Sequence, residues 1–141
     1  MRRRERTEIL IQGSEVIAKE FAKEIAMKYK VTVIQKPESA LMLLKTRETA
    51  KKSLFYLGEM LVTECKVQIH DYIGIGIVKG QREELAHSLA VIDAAYQADL
   101  GETRLWSPIL ENEKKIIQKD LQELNRSILR TKVNFETMDV Q

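Results

Sequence analysis

Cysteine is almost missing from this chain: among 141 residues only Cys65 is present. An internal disulfide is therefore excluded, and a reducing cytoplasm is the expected setting. Histidine is nearly as scarce. His70 and His87 stand alone, with no cysteine or second histidine at ligand spacing, so no metal site is expected from this chain by itself. No apolar run approaches the roughly 18 residues that a membrane span needs. The start, Met1-Arg2-Arg3-Arg4-Glu5-Arg6, is basic but has no apolar core behind it, which reads against a signal peptide. A formal net charge of +2 points neither toward nor away from a polyanionic partner. Internal repeats and low-complexity tracts are also lacking.

What is present is a globular composition. A hydrophobic share of 44% against 31% charged residues suits a chain that buries a core rather than a disordered one. The length allows one domain over 1–141, with residues 1–6 as a basic N-terminal arm. Ile9-Leu10-Ile11 close a first helical segment before Gly13, and Ser14 is placed to cap a second. In that second helix Ile17, Phe21, Ala22, Ile25 and Tyr29 recur at three- and four-residue spacing and share one face. Val31-Thr32-Val33-Ile34 predicts a short strand that Pro37 breaks, and Ala40–Leu44 a further, buried one.

Residues 61–69 alternate, with Leu61, Thr63, Cys65, Val67 and Ile69 on one face and Glu64, Lys66, Gln68 and His70 on the other. His70-Asp71 forms the tip of a hairpin, after which Ile73, Ile75 and Ile77 alternate again. Gly74 and Gly76 leave a trough on the opposite face of that return strand, where another backbone can approach. A helix follows over 82–98, with Ala86, Leu89, Ala90, Asp93 and Tyr96 on one side. Gly101 closes it, a linker follows, and Ser107-Pro108 starts a last helix. Leu110, Ile117, Leu121, Leu124 and Ile128 give that helix a heptad-like seam, too short for a free coiled coil and suited to packing on the fold or on a partner. The expected fold is α+β: N-terminal helices, an antiparallel β-sheet with a long hairpin, then two C-terminal helices.

Few residues suggest chemistry. Gly74-x-Gly76-x-x-x-Gly80 lies largely inside a strand, unlike a phosphate-cradling loop, which opens a helix. Cys65 has no activating base nearby and reads as core. Glu59 and Asp93 are the two candidate catalytic carboxylates, although a structural role is favoured for both, through an ion pair with Arg47 or Arg82 or bonds to backbone amides. Asp93 sits among Ala90, Ile92, Ala94 and Ala95, where a buried carboxylate persists only if paired. Arg47 or the amides at Gly58-Glu59 are its expected partners. The arginines at 2–4 and 6 can meet phosphates, but a solvated helix start is the ordinary reading.

The residues Leu57-Gly58-Glu59, Val62-Thr63, Gly76, Val78-x-Gly80, Ala86, Ala90-Val91-Ile92-Asp93-Ala94 and Lys132-Val133-Asn134-Phe135-Glu136-Thr137-Met138 resemble the PhnG family. Its members are subunits of the bacterial phosphonate carbon–phosphorus lyase core complex. The resemblance runs from about Val33 to Met138. Arg47 matches an arginine that ends a family strand. Ala40 stands where relatives usually have glycine, Glu48-Thr49-Ala50 where many carry a glycine-rich turn, and Glu64 where many carry arginine.

The resemblance implies a part in making α-D-ribose 1-methylphosphonate 5-triphosphate, in which a phosphonate oxygen displaces adenine from the ribose of ATP. ATP and methylphosphonate are then substrates of the complex, and no cofactor belongs to this chain alone. The implied partners are the other core-complex subunits, with two copies of this chain in the assembly and neither nucleic acid nor membrane among them. Arg47, Gly58, Thr63, Gly76 and Gly80 become candidates for contact with ligand or partner. No complete set of groups for glycosidic displacement is apparent, so the chain is expected to be non-catalytic by itself. Two readings compete: a self-sufficient enzyme using Glu59 and Asp93, and a stand-alone interaction or nucleic-acid-binding module led by the arginine arm.

Overall fold

A computed structural model describes the backbone of residues 1–47 and 54–139 and, among these, the side chains of 1–43 and 58–131. The elements run α1 (Arg3–Gln12), α2 (Glu15–Lys28), β1 (Thr32–Arg47), β2 (Leu54–Ile69), β3 (Tyr72–Lys79), α3 (Glu83–Gln97) and α4 (Gly101–Asp139). The sheet has the order β1-β2-β3 with both neighbouring pairs antiparallel. This is the expected α+β arrangement, helices at both ends of the chain and strands between.

Local chemistry fixes the first helix boundary. The Gly13 amide closes α1 on the Ile9 carbonyl, and the Ser14 hydroxyl accepts the Val16 amide to open α2. One face of α2 buries Ala18, Phe21, Ala22 and Ile25. Phe21 stacks on Trp106 of α4 with centroids 4.4 Å apart, and the Trp106 indole N–H donates to Glu24. Stacking and the satisfied donor together anchor the start of α4 to α2.

Thr63, Cys65, Val67 and Ile69 turn toward the helices, opposite Val78, Gly76 and Gly74 of β3. The glycine trough is filled by α3. A β-carbon on Gly76 would lie 2.1 Å from the Ala86 carbonyl oxygen, and one on Gly74 2.1 Å from that of Ala90. No side chain fits there, so these glycines set how closely helix and sheet pack. With the sheet below and α2 above, α3 buries residues around its whole circumference, including Leu85, Ala86, Leu89–Ala95 and Ser88. Ile73, Ile75 and Ile77 point to the sheet's other face and stay exposed.

Several expectations are corrected. The stretch Ala40–Leu44 is not a buried strand: it lies on the edge of the sheet, where Leu41, Met42 and Leu43 are exposed. Pro37 does not end a strand: β1 continues through it, with its register to β2 shifting between Gln35 and Glu38. An edge strand tolerates proline because one side of its backbone has no ladder to maintain. The linker before Ser107 is absent. Asp99, at φ 52, makes the turn and Gly101 opens α4, leaving Pro108 inside that helix. The carbonyl that Pro108 deprives of an amide belongs to Arg104, which is exposed to water.

Leu61 departs from the buried alternation: it lies beside the end of β3, whose last residue Lys79 is opposite Val62, and its side chain is exposed. The arginine cluster is not uniformly solvated either: Arg6 is buried, at 6% exposure. The α4 seam splits in two. Leu110 is buried and Ile117 half-buried against the body, while Leu121, Leu124 and Ile128 are exposed.

Candidate functional site

Asp93 reaches from α3 to the outer edge of β3. Its Oδ2 accepts the Ile75 amide at 2.9 Å and Arg3 Nη2 at 2.8 Å, and its Oδ1 accepts Arg6 Nη2 at 3.2 Å. Arg6 also lies over the Tyr96 ring, its guanidinium carbon 3.9 Å from the centroid. Asp93 is 5% exposed. A buried carboxylate with two guanidinium donors and an amide donor is satisfied in charge and in hydrogen bonds.

Burial depresses the Arg6 pKa from its ordinary value, and the Asp93 charge acts in the opposite direction. Burial likewise raises the Tyr96 phenol, with Arg6 acting against it. The cluster ties α1, α3 and β3 together. Arg47 and the Gly58-Glu59 amides are not the partners. The strand position next to Asp93 is Ile75, opposite Lys66, whereas Arg47 is opposite Leu54. Twelve residues of strand separate Lys66 from Leu54, about 40 Å at 3.3 Å per residue.

Glu59 is exposed and lies opposite Leu43. Seven residues from Lys66, it is about 23 Å away from the Asp93 end of the sheet by strand rise. The two carboxylates therefore do not form an acid–base pair. Arg82, the other proposed partner, forms an ion pair with Glu15 of α2.

Thr63 is buried and joins two elements. Its hydroxyl donates to the Gly80 carbonyl at 2.5 Å and accepts the Arg82 amide at 3.1 Å. Gly80, at φ 83, turns the chain from β3 toward α3 and donates its amide to Leu61. Gly76 faces α3. Gly58, at φ 152, sits beside the register irregularity opposite Leu44 and Lys45. Arg47 ends β1, and its side chain lies outside the described residues, as do Glu48-Thr49-Ala50. Glu64 pairs with Lys66 at 3.4 Å.

A cleft of about 430 Å³ between α2, α3 and β1 is lined by Lys19, Lys23, Pro37, Glu83, His87 and Ser88 among others. None of the residues singled out from the sequence as site candidates lines it. Burial pushes the Cys65 thiol upward, away from the thiolate a nucleophile needs. Among the described residues, no three histidine, cysteine, aspartate or glutamate side chains gather as a possible metal site.

The family model for phosphonate metabolism protein PhnG matches residues 1–140. The chain belongs to the PhnG family. No match was found among the curated proteins. Arg3 and Arg6 were not anticipated as partners of Asp93, nor Tyr96 as the ring beneath Arg6. A signal for Arg6 exists nonetheless: Arg6, Ile9 and Leu10 stand at i, i+3 and i+4, so the guanidinium lies on the buried face of α1.

Proposed function

We propose that this chain is one domain over 1–141 and serves as a cytoplasmic subunit, in two copies per assembly, of a complex that forms α-D-ribose 1-methylphosphonate 5-triphosphate. The family match for phosphonate metabolism over residues 1–140 carries this reading. In the reaction a phosphonate oxygen bonds to ribose C1′ of ATP, the C1′–N9 bond breaks, and adenine leaves after protonation. ATP and methylphosphonate are substrates of the assembly, and the chain contributes no cofactor of its own.

Support for a non-catalytic role of the isolated chain comes from its carboxylates. Asp93 is committed to Arg3, Arg6 and the Ile75 amide, and Glu59 lies far along β2. Thr63, Gly76 and Gly80 are likewise engaged within the fold, which leaves Arg47 and Gly58, near the far end of the β1–β2 pair, as the contact candidates toward a partner. The arginines offered to nucleic acid in the competing reading include Arg3 and Arg6, already paired with Asp93. The test is adenine release from ATP with methylphosphonate, by the purified chain and by the chain with its partner subunits. Release is expected only from the mixture. Turnover by the contaminant-free chain alone would sink the proposal.

A further inference from the structure

The two edges of the sheet are treated differently. On β3 the outward amide of Ile75 is taken by Asp93, and Arg3 and Arg6 bring the start of α1 beside it. On β1 the direction of the backbone groups follows from the ladder. The Gly80 amide donates to the Leu61 carbonyl at 2.8 Å, so Leu61 directs its main-chain groups toward the β3 side of β2. Successive residues alternate in this direction, so Met60 and Val62 face β1. Their partners Met42 and Ala40 complete that ladder, which leaves the N–H and C=O groups of Ser39, Leu41 and Leu43 facing outward. The same alternation places the Ile75 amide on the outside of β3, where Asp93 accepts it.

We propose that a strand from a partner subunit pairs with β1 along Ser39–Leu43 and extends the sheet. The inference rests on the subunit reading above and names the surface through which it operates. Alternating outward amides and carbonyls are matched by another extended backbone, which supplies the same groups at the same period. The side chains agree. Leu41, Met42 and Leu43 point to alternate faces and are 64%, 39% and 52% exposed. Beyond Val62, where β3 has ended, β1 and β2 continue as a two-stranded ribbon. Such a ribbon is marginal in water, and a bare apolar edge is an association site. A second copy joined edge to edge would satisfy the backbone but leave both apolar faces bare. A strand belonging to a different fold can pair with the edge and cover the faces together.

The experiment uses the full chain, alone and co-produced with the other subunits of the phosphonate complex, with amide hydrogen exchange read residue by residue. In the isolated chain the Leu41 and Leu43 amides should exchange freely and that of Met42 slowly; on assembly Leu41 and Leu43 should slow by about 100-fold or more. Leu43→Pro removes an outward donor while sparing the ladder. It should weaken assembly about tenfold relative to Leu43→Ala, with the isolated variants melting alike. A complex in which these amides still exchange freely would overturn the strand and leave the subunit reading intact, as would equal assembly by the two variants. Slowing in the isolated chain with rising concentration would assign the edge to a second copy and refute the proposal. If the wild-type chain joins no subunit, the functional reading fails and this inference with it.

Discussion

Replacing Asp93 by alanine would leave the Arg6 guanidinium buried beside Tyr96 without its counter-ion and the Ile75 amide without its acceptor. The Arg6 pair dominates the cost, because both of its side chains are buried. Removing one member of such a pair costs about 3–5 kcal/mol. Arg3 is half exposed, so its contact adds about 1 kcal/mol at most. Asp93→Asn keeps the shape and one acceptor oxygen but loses the charge, for about 1–3 kcal/mol. At about 4 °C per kcal/mol for a chain of this size, the alanine variant should melt about 12–20 °C lower and the asparagine variant about 4–12 °C lower.

Thermal melting followed by far-UV circular dichroism reads both variants, and a double-mutant cycle with Arg6→Met isolates the coupling. Arg6→Met removes the buried guanidinium, so Asp93→Ala should cost much less in that background, where it strands no charge. Activity of the reconstituted complex separates another possibility. A carboxylate whose role was to bind ribose hydroxyls would give normal melting and lost turnover. If Asp93→Ala melts within about 1 kcal/mol of the parent, by the same conversion, the buried-pair reasoning is wrong.

Gly76→Ala places a methyl group against the Ala86 carbonyl and should cost more than about 3 kcal/mol in chemical denaturation, whereas Gly80→Ala, whose added carbon meets nothing within 4 Å, suffers only the strain of φ 83, about 1 kcal/mol. Leu121→Lys should melt within about 0.5 kcal/mol of the parent, because Leu121 is 51% exposed; lost incorporation into the complex with unchanged melting would place the distal seam in an interface. Glu5 has a carboxyl held below its ordinary range, chiefly by its hydrogen bond to Lys114. A lowered folded-state pKa means stability that is present above the unfolded value and lost as pH falls through the folded one. Wild-type melting temperature should therefore drop more steeply than that of Glu5→Gln below about pH 4.5, and parallel acid limbs would contradict the tie between α1 and α4.

The parts of the fold that were legible in the sequence are those whose cause is local. Ser14 accepts the Val16 amide, and the two glycines of β3 mark where α3 presses on the sheet. The burial of Asp93 could be read from its alanine neighbours, but its partners could not. Arg3 lies 90 positions away in sequence, and the pairing exists only because α1 comes to rest beside the β3 edge. Pro37 and Pro108 misled for a common reason. The sequence pattern has Pro37 ending a strand and Pro108 opening a helix, yet Pro37 lies at a register shift of an edge strand and Pro108 on an exposed stretch of α4, so neither marks a boundary. The seam of α4 has heptad spacing throughout, yet the body covers it only as far as Ile117. Spacing shows which residues share a face, not how far a neighbour extends along it.

That limit separates the residues that hold the fold from those free to meet other molecules. Among the described residues, β1 contains no buried side chain and neither do residues 119–131 of α4, whereas α2 and α3 with β2 beyond Leu61, β3 and the start of α4 contain most of the core. Substitutions in the first set act on surfaces that solvent already reaches, so melting should respond little to them. Substitutions in the second set open cavities or strand charges and should register in melting first. Exposed apolar residues lie on the open face of the sheet, at Ile73, Ile75 and Ile77, and also in the parts that leave the body: Leu41, Met42, Leu43 and Leu61 on the ribbon and Leu121, Leu124, Ile128 and Leu129 on α4. Apolar surface kept off the core in this way weakens no internal contact when a partner binds it, so association can be strong without the isolated chain having to unfold or repack.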